Sequence, residues 1–364
     1  MLQKSVKSLT VTVSGGAGRI AYALLPILCS GHTFGHAVKI RLRLLDIEQC
    51  MEKLQGILME VEDSTFPLVL SVVVESISVY SDPAAAFDKC DVAILLGGFP
   101  RLKGMERREL LSKNVDIMRS QVTALDQWAS ADVKVVVIAN PANTNCLAAL
   151  RLSTRIPPQN FSCLTRLDHE RLRAAIVAKL NEDLPDAHIG PNDIKNVCIF
   201  GNHSTTQVPY ATTAQVRIGG AWEPLLNYIS QGWILENLVG TIQVRGGVVL
   251  KAQQASSGMS AAIAISRHLK DWLGLNPASP ADEVFSMGML SDGNPYGVPP
   301  GLIYSFPVRR VAGAAPGAVE IVGGFPISKE YEELLRLTTA ELQGEWTDAE
   351  SLISADKSPA TTSS

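Results

Sequence analysis

Apolar segments of two kinds alternate along the first 150 residues. Short continuous apolar runs are typical of buried strands, and apolar positions three and four apart are typical of helices. The predicted strands cover residues 9–13, 40–45, 68–79, 91–96 and 133–139, and the predicted helices cover 20–29, 48–61 and 106–129. This order indicates a parallel sheet with crossover helices. The β-branched run from Val135 to Ile138 is typical of a strand that is covered on both faces.

The pattern changes after about residue 160 and predicts a mixed α+β arrangement. We expect a helix over 168–180, strands over 197–200 and 212–218, a second antiparallel pair over 302–311 and 318–322, and a final helix over 329–342. Gly219 and Gly220 predict a hairpin turn, because glycine tolerates positive φ. A helical stretch over 233–273 is expected to bend or break at Gly246 and Gly247 and again near Gly258. Ser328 is expected to be the N-cap of the final helix.

These elements predict an α/β fold in two domains. A Rossmann-type, doubly wound parallel sheet is expected over residues 1–160, followed by an α+β substrate domain over 161–355. Residues 356–364 are rich in Ser, Thr, Pro and Ala, cannot contribute a core, and are expected to be disordered.

Composition narrows the functional class. Hydrophobic residues make up 46% and charged residues 19% of the 364 residues, and the net charge is −4, so nothing favours a nucleic-acid partner. The six cysteines form no C-x-x-C pair and are expected to be free thiols in a reducing compartment. No leader or membrane span fits the first apolar segments. A cytoplasmic protein without a membrane partner is therefore expected.

A glycine-rich turn follows the first predicted strand and opens a helix. Gly15, Gly16 and Gly18 would let the backbone approach a pyrophosphate, and the helix N-terminus would supply free N–H donors. Asp46 ends the second strand, where a carboxylate would accept hydrogen bonds from a ribose and favour NAD over NADP. The alternative is a tight turn without a ligand.

The loop after the fourth predicted strand carries Arg101 and Arg107. Ligands bind beyond the carboxyl ends of strands in such sheets, so this glycine-containing loop is expected to be a lid that brings both arginines to the site. A solvated basic loop is the alternative.

Four further residues are candidates for chemistry. Asn140 follows the next strand and would offer an amide, or simply form a turn. Asp168 and Arg171 share one helix face, either as an ion pair or with Arg171 on a carboxylate and Asp168 on a histidine. His203 follows a short strand and is either a base or a satisfied polar residue. Neither metal-ligand spacing nor a nucleophile motif is present, so no metal is expected.

Together these segments resemble the malate dehydrogenases, specifically the cytosolic-type branch of the lactate/malate dehydrogenase superfamily. The resemblance covers nearly the whole chain, in order. It is carried by residues 15–21, 45–46, 104–107, 140–146 (NPANTNC), 160–169 (NFSCLTRLDH), 201–204 (GNHS), 256–261 and 291–299 (SDGNPYGVP).

The resemblance implies a role for each matching residue. His203 corresponds to the catalytic histidine and Asp168 to its partner. Arg171 corresponds to the arginine that binds the C1 carboxylate, Arg107 to the lid arginine that polarises the reacting oxygen, and Arg101 to the arginine that selects a second carboxylate. Further substrate-side positions are Asn140 and Ser257. The cofactor contacts implied beside the glycines and Asp46 are Arg19, Ile20, Asn114, Gln121, Ile138 and Asn140. Arg19 replaces a glutamine that is usual in the cytosolic branch, and the family implies a homodimer.

The expected activity is NAD-dependent oxidation of L-malate to oxaloacetate and its reverse. Removing a hydroxyl proton requires a base near the working pH, which suits a histidine. Two carboxylates suit Arg171 and Arg101, whereas a monocarboxylate would leave Arg101 without a partner. An aromatic or other 2-hydroxy acid dehydrogenase of the same fold is the alternative within this class. A catalytically silent nucleotide-binding scaffold would not need Asp168, Arg171, His203 and Arg107 together.

Overall fold

A nine-stranded sheet crosses the centre of the computed structural model, which describes residues 7–64, 74–99, 105–280 and 282–355. Its strands are β1 (Lys7–Ser14), β2 (Val38–Leu45), β3 (Val74–Tyr80), β4 (Val92–Leu95), β5 (Lys134–Val137), β6 (Phe161–Cys163), β12 (Phe285–Leu290), β13 (Ile303–Arg310) and β14 (Val319–Ile321). Their order across the sheet is β14-β13-β12-β6-β5-β4-β1-β2-β3. The run from β3 to β6 is parallel, so the first half has the 3-2-1-4-5-6 order of a Rossmann fold.

The parallel sheet predicted from the sequence is therefore confirmed. Every residue of β4 and β5 is buried, as the continuous apolar runs predicted. The predicted strand over 68–79 is described only from residue 74 onwards. The predicted tail at 356–364 lies outside the described residues.

Antiparallel strands extend this sheet and build two smaller ones. β12, β13 and β14 continue the central sheet from the edge of β6. The short strands are β7 (Ile194–Lys195), β8 (Cys198–Phe200), β9 (Val208–Tyr210), β10 (Gln215–Ile218) and β11 (Ala221–Pro224). β10 and β11 form the predicted hairpin around Gly219 and Gly220, whose φ angles are +58° and +87°.

Helices cover the central sheet. They are α1 (Arg19–Cys29), α2 (Met51–Asp63), α3 (Pro83–Phe87), α4 (Arg107–Trp128), α5 (Ala142–Leu152), α6 (Arg166–Asp183), α7 (Gln231–Trp233), α8 (Val239–Gln253), α9 (Met259–Leu273) and α10 (Lys329–Ala355). A π-helical turn, Ile234–Leu238, joins α7 to α8. Within the described ranges no helix is both long and apolar enough to cross a membrane.

Two expectations about helices are wrong. Gly246 and Gly247 do not interrupt the helix but lie inside α8. A glycine costs a helix only about 1 kcal/mol, and packing can offset that amount. The break near Gly258 is present, between α8 and α9. The final helix does not end at residue 342 but continues to Ala355. Ser328 stands at the predicted N-cap position, since α10 begins at Lys329 and the Ser328 carbonyl accepts the N–H of Glu332 at 2.8 Å, while its hydroxyl donates to the Glu330 carboxylate.

Candidate active site

The turn between β1 and α1 is tightly packed against neighbouring backbone. Gly15 has φ +68°, and a Cβ on it would lie 2.8 Å from the backbone nitrogen of Gly97. A Cβ on Gly16 would lie 2.9 Å from Cβ of Leu44. The N–H of Gly18 donates to the carbonyl of Gly15 at 2.9 Å. Glycine is therefore required here by space and by backbone conformation.

This turn offers what a dinucleotide requires. Helix α1 begins at Arg19, and in the described structure no side chain caps its N-terminal N–H groups. Such groups favour a phosphate. Asp46 follows β2, and its Oδ2 accepts the backbone N–H of Ala17 at 2.9 Å, which places the carboxylate beside the turn. The residues present thus fit NAD.

The remaining predicted cofactor residues occupy different surroundings. The guanidinium of Arg19 donates to Oε1 of Gln253 at 2.9 Å, across to the second half of the chain. Asn114 is fully buried and accepts the N–H of Phe99 through Oδ1 at 3.0 Å, so it holds the start of the predicted lid. Gln121 is buried, and its Oε1 has no hydrogen-bond partner within the described residues.

A cavity of about 330 Å³ lies between the two halves of the molecule. Seven of the residues singled out in the sequence line it: Ile20, Ile138, Asn140, Asp168, Arg171, His203 and Ser257. They come from α1, the end of β5, α6, the loop after β8 and the loop before α9. The structure therefore brings cofactor-side and substrate-side candidates to one cavity.

His203 and Asp168 form the polar centre of this cavity. Nδ1 of His203 lies 2.5 Å from Oδ2 of Asp168, whose side chain is fully buried. Arg171 donates from Nη1 to the other carboxylate oxygen at 2.9 Å and from Nη2 to the hydroxyl of Ser257 at 3.2 Å. Asp168 thus contacts both the histidine and the arginine, so the ion pair and the histidine contact considered from the sequence coexist.

The two partners shift one another's pKa. Burial alone would raise the pKa of the Asp168 carboxyl, but the charges and hydrogen bonds of His203 and Arg171 hold that pKa below its usual value. Burial alone would lower the pKa of the His203 imidazole, but the Asp168 carboxylate raises it above 6.5. A histidine that gains and loses a proton above pH 6.5 suits acid–base chemistry.

Two buried histidines outside the cavity show the opposite behaviour. Burial lowers the pKa of His268 to about 3, and its ring contacts the hydroxyl of Ser162. Burial also places the pKa of His169 well below its usual value, and its Nδ1 contacts the hydroxyl of Ser286. Both are neutral packing residues. Across the described ranges, no group of three or more His, Cys, Asp or Glu side chains could hold a metal ion.

The predicted lid is only partly described. Arg101 lies outside the described residues. Arg107 is described as the first residue of α4, and its side chain lies outside the described part. The roles expected of these two arginines therefore remain predictions.

The sequence interpretation missed Asn143 and the contribution of α8. Asn143 is buried; its Oδ1 accepts the backbone N–H of His203 at 2.9 Å, and its amide donates to the carbonyl of Ile303 at 2.9 Å. Gly246 lies against Arg171, since a Cβ at this position would be 3.5 Å from Nη1. Asn143 belongs to the NPANTNC segment, so the resemblance contained the signal but assigned it no role.

A Rossmann sheet with a glycine-rich first turn, and a histidine–aspartate pair in the cavity beside it, is the arrangement of a nicotinamide-dependent dehydrogenase. The chain belongs to the lactate/malate dehydrogenase family. Residues 9–162 match the lactate/malate dehydrogenase NAD binding domain, and residues 165–353 match the lactate/malate dehydrogenase alpha/beta C-terminal domain.

Individual proteins that are similar in sequence or in fold also belong to this family. The chain is 44% identical over 337 residues to the cytoplasmic malate dehydrogenase of Homo sapiens, covering 92% of this chain and 95% of that protein. Its fold is similar to the malate dehydrogenase of Naegleria fowleri, with a TM-score of 0.83, 34% identity and coverage of 95% and 98%. It is also similar to the Trichomonas vaginalis lactate dehydrogenase in complex with NADH and oxamate, with a TM-score of 0.85, 30% identity and coverage of 95% and 99%.

Proposed function

We propose that this chain is an NAD-dependent malate dehydrogenase that interconverts L-malate and oxaloacetate. The observation that carries the proposal is the 2.5 Å contact between His203 and Asp168, in a cavity that Arg171 also lines. The identity of 44% to a cytoplasmic malate dehydrogenase supports malate as the substrate.

The proton is assigned to one atom of His203. Asp168 accepts a hydrogen bond from Nδ1, which fixes the tautomer and leaves Nε2 as the exchanging atom. In malate oxidation Nε2 takes the hydroxyl proton, and the Asp168 carboxylate stabilises the resulting imidazolium. In oxaloacetate reduction the imidazolium returns that proton to the carbonyl oxygen.

The two carboxylates of a C4 diacid are assigned to two arginines. Arg171 retains donors beyond those it gives to Asp168 and Ser257, so its guanidinium can bind the C1 carboxylate. Arg101 is assigned the second carboxylate and Arg107 the reacting oxygen, both on the resemblance. A site that pairs both charges rejects a monocarboxylate, since an unpaired charge in a closed site is costly.

NAD is the proposed cofactor. When bound, NAD supplies the hydride acceptor. The glycine turn and the α1 N-terminus would hold its pyrophosphate, and Asp46 would receive a ribose. A 2′-phosphate would meet the negative charge of Asp46, which favours NAD over NADP. The relatives named cytoplasmic support the cytoplasmic location expected from the sequence.

A homodimer is proposed as the assembled form. Large apolar side chains are exposed on α1 and on two helices that pack against it: Tyr22 on α1, Met59 on α2, and Met259 and Ile263 on α9. Exposed apolar residues gathered on neighbouring helices are typical of a protein interface. A second copy of this chain would cover them.

A substrate comparison tests the proposed function. NADH oxidation is measured with oxaloacetate, pyruvate and phenylpyruvate at equal enzyme concentration. We expect kcat/KM to favour oxaloacetate by about 10⁴, the discrimination available when a site leaves a charged partner unpaired. Arg101→Gln should reduce kcat/KM for oxaloacetate sharply and favour pyruvate in relative terms. Equal losses for both substrates would contradict the role of Arg101.

The same assay tests whether the protein is instead a dehydrogenase for another 2-hydroxy acid. The likeness to a lactate dehydrogenase at 30% identity shows that the fold also serves a protein of that name. A preference for phenylpyruvate would favour an aromatic 2-hydroxy acid dehydrogenase. A preference for pyruvate would favour a lactate dehydrogenase.

A further inference from the structure

The loop after β8 carries His203 and is anchored at its first residue to the central sheet. The N–H of Gly201 donates to the carbonyl of Ser305 in β13 at 3.2 Å, and the N–H of Ser305 donates back at 2.9 Å. Gly201 has φ +92°, and a Cβ there would overlap the side chain of Thr338 on α10. Glycine thus lets the last helix approach the loop closely.

Thr338 makes the first contact of α10 with this loop. Its side chain is fully buried, and its Oγ1 accepts the backbone N–H of Asn202 at 2.9 Å. The hydroxyl of Thr206 lies 3.0 Å from the same atom. The residue before His203 is therefore fixed through its backbone.

Glu341, close to one turn further along α10, makes the second contact. Its Oε2 accepts hydrogen bonds from the Asn202 amide at 2.8 Å, the Ser204 hydroxyl at 2.5 Å and the Thr206 hydroxyl at 2.6 Å. Hydrogen bonds to a carboxylate are stronger than those between neutral groups. One oxygen atom thus binds both sequence neighbours of His203.

The contacts alternate along the loop. Residues 202, 204 and 206 bond to α10, while His203 between them bonds through its backbone N–H to Asn143 and through its ring to Asp168. Asp168 orients the ring, but it does not fix the backbone that carries the ring. That task falls to Asn143 and the contacts of α10.

We propose that Glu341 is a positioning residue for His203, which holds the backbone of the 201–206 loop so that the imidazole meets both Asp168 and the substrate. This inference rests on the proposed function. Glu341 also lines a second cavity of about 430 Å³, on whose wall His203 lies as well. The carboxylate thus acts from the side of the loop next to α10 and does not line the cavity that holds Arg171.

Replacement of Glu341 tests the proposal. Glu341→Ala removes the shared acceptor, and we expect kcat for oxaloacetate reduction to fall about 10-fold or more, since small displacements of a reacting group are costly. KM for oxaloacetate and the Kd of NADH should change little, because Arg171 and the glycine turn are untouched. Glu341→Gln keeps an acceptor oxygen and should restore most of kcat. Glu333→Ala, an exposed carboxylate on the same helix, is the matched control and should match wild type.

A second readout separates positioning from a general loss of structure. The imidazole pKa of His203 is followed by NMR with labelled histidine, and its signal is assigned by its absence in His203→Asn. In Glu341→Ala we expect this pKa to fall towards 6.5, because the contact with Asp168 loosens. A folded Glu341→Ala protein with wild-type kcat and wild-type His203 pKa would overturn the proposal, as would a loss confined to KM.

Two further measurements keep the outcome decisive. If Glu341→Ala does not fold, Thr206→Val removes one donor and should produce a smaller change of the same kind; unchanged kcat and pKa would again overturn the proposal. Wild-type turnover of oxaloacetate reports on the proposed function alone. The NMR titration needs no turnover, so failure of the function and failure of this inference are distinguishable.

Discussion

His203 differs from the other buried histidines in the charge it faces. His268 contacts a neutral hydroxyl, so burial dominates and its pKa falls to about 3. His203 contacts the carboxylate of Asp168, so attraction exceeds burial and its pKa rises above 6.5. The nearby charges of Arg166 and Asp271 oppose one another at His268. A carboxylate in direct contact with the ring therefore separates His203 from His268.

This difference predicts the pH dependence of both reaction directions. In the proposed mechanism, reduction of oxaloacetate needs protonated His203, so kcat/KM should decline as pH rises through its raised pKa. Oxidation of malate needs neutral His203, so it should decline as pH falls through the same pKa. Asp168→Asn removes the carboxylate that raises the pKa of His203. It should move the pH-dependent decline of each reaction direction to lower pH, with kcat lower by about 10²-fold or more. Profiles of kcat/KM against pH for wild type and Asp168→Asn measure this change. Declines that stay at the wild-type pH in the variant would contradict the prediction.

The sequence could predict the site residues that lie within recognisable motifs. His203, Asp168 and Arg171 stood in recognisable segments, and the structure brings them into one cavity. Glu341 and Thr338 carried no such signal, because they lie on an amphipathic helix far along the chain from the loop they contact. Such partners follow only from tertiary structure.

At the scale of elements, the β1–α1 turn depends on glycine most strictly. At Gly15 a side chain would meet both a left-handed backbone and the backbone of Gly97. Substitution here should therefore weaken folding and cofactor binding together.

Gly15→Ala tests this with a matched control. We expect the free energy of unfolding to fall by about 1–3 kcal/mol, with weaker NADH binding. Gly56 lies on the exposed face of α2, where an added Cβ would meet nothing within 4 Å, so Gly56→Ala should raise that free energy by about 0.5–1 kcal/mol. Urea unfolding and NADH titration measure both. Equal stability of the two variants would contradict the requirement for glycine at residue 15.

Strands and helices with a clear local pattern of apolar residues were predicted well, but the positions of their ends were not. The buried strands β4 and β5 followed from continuous apolar runs. The helix α8 was expected to break at two glycines, but local propensity did not reveal its packing beside Arg171. The strand β12 was missed, although it joins the parallel half of the sheet to the antiparallel extension.

At the scale of the whole molecule, the main cavity lies where both halves of the chain meet. Ile20 and Ile138 come from the first half, and Arg171, His203 and Ser257 come from the second. This cavity keeps its shape only if the two halves hold fixed positions relative to one another. The central sheet provides this, since β12 pairs with β6.

The proposed homodimer gives a prediction at the same scale. Wild-type protein should sediment at twice the mass of one chain, and Met259→Asp combined with Ile263→Asp should sediment as a monomer, because charge would be buried in the interface. Leu337→Asp, at an exposed apolar position on α10, is the control and should remain a dimer. Analytical ultracentrifugation measures this, and a monomeric wild type would refute the proposal.

The proposed mechanism depends most on His203, the group assigned to exchange the substrate proton. The most direct measurement is the rate of NADH oxidation by oxaloacetate in His203→Asn, together with the Kd of NADH for the same protein. We expect kcat to fall by about 10²–10⁴-fold while NADH binds as it does to wild type. A variant that binds NADH and turns over at the wild-type rate would contradict the account.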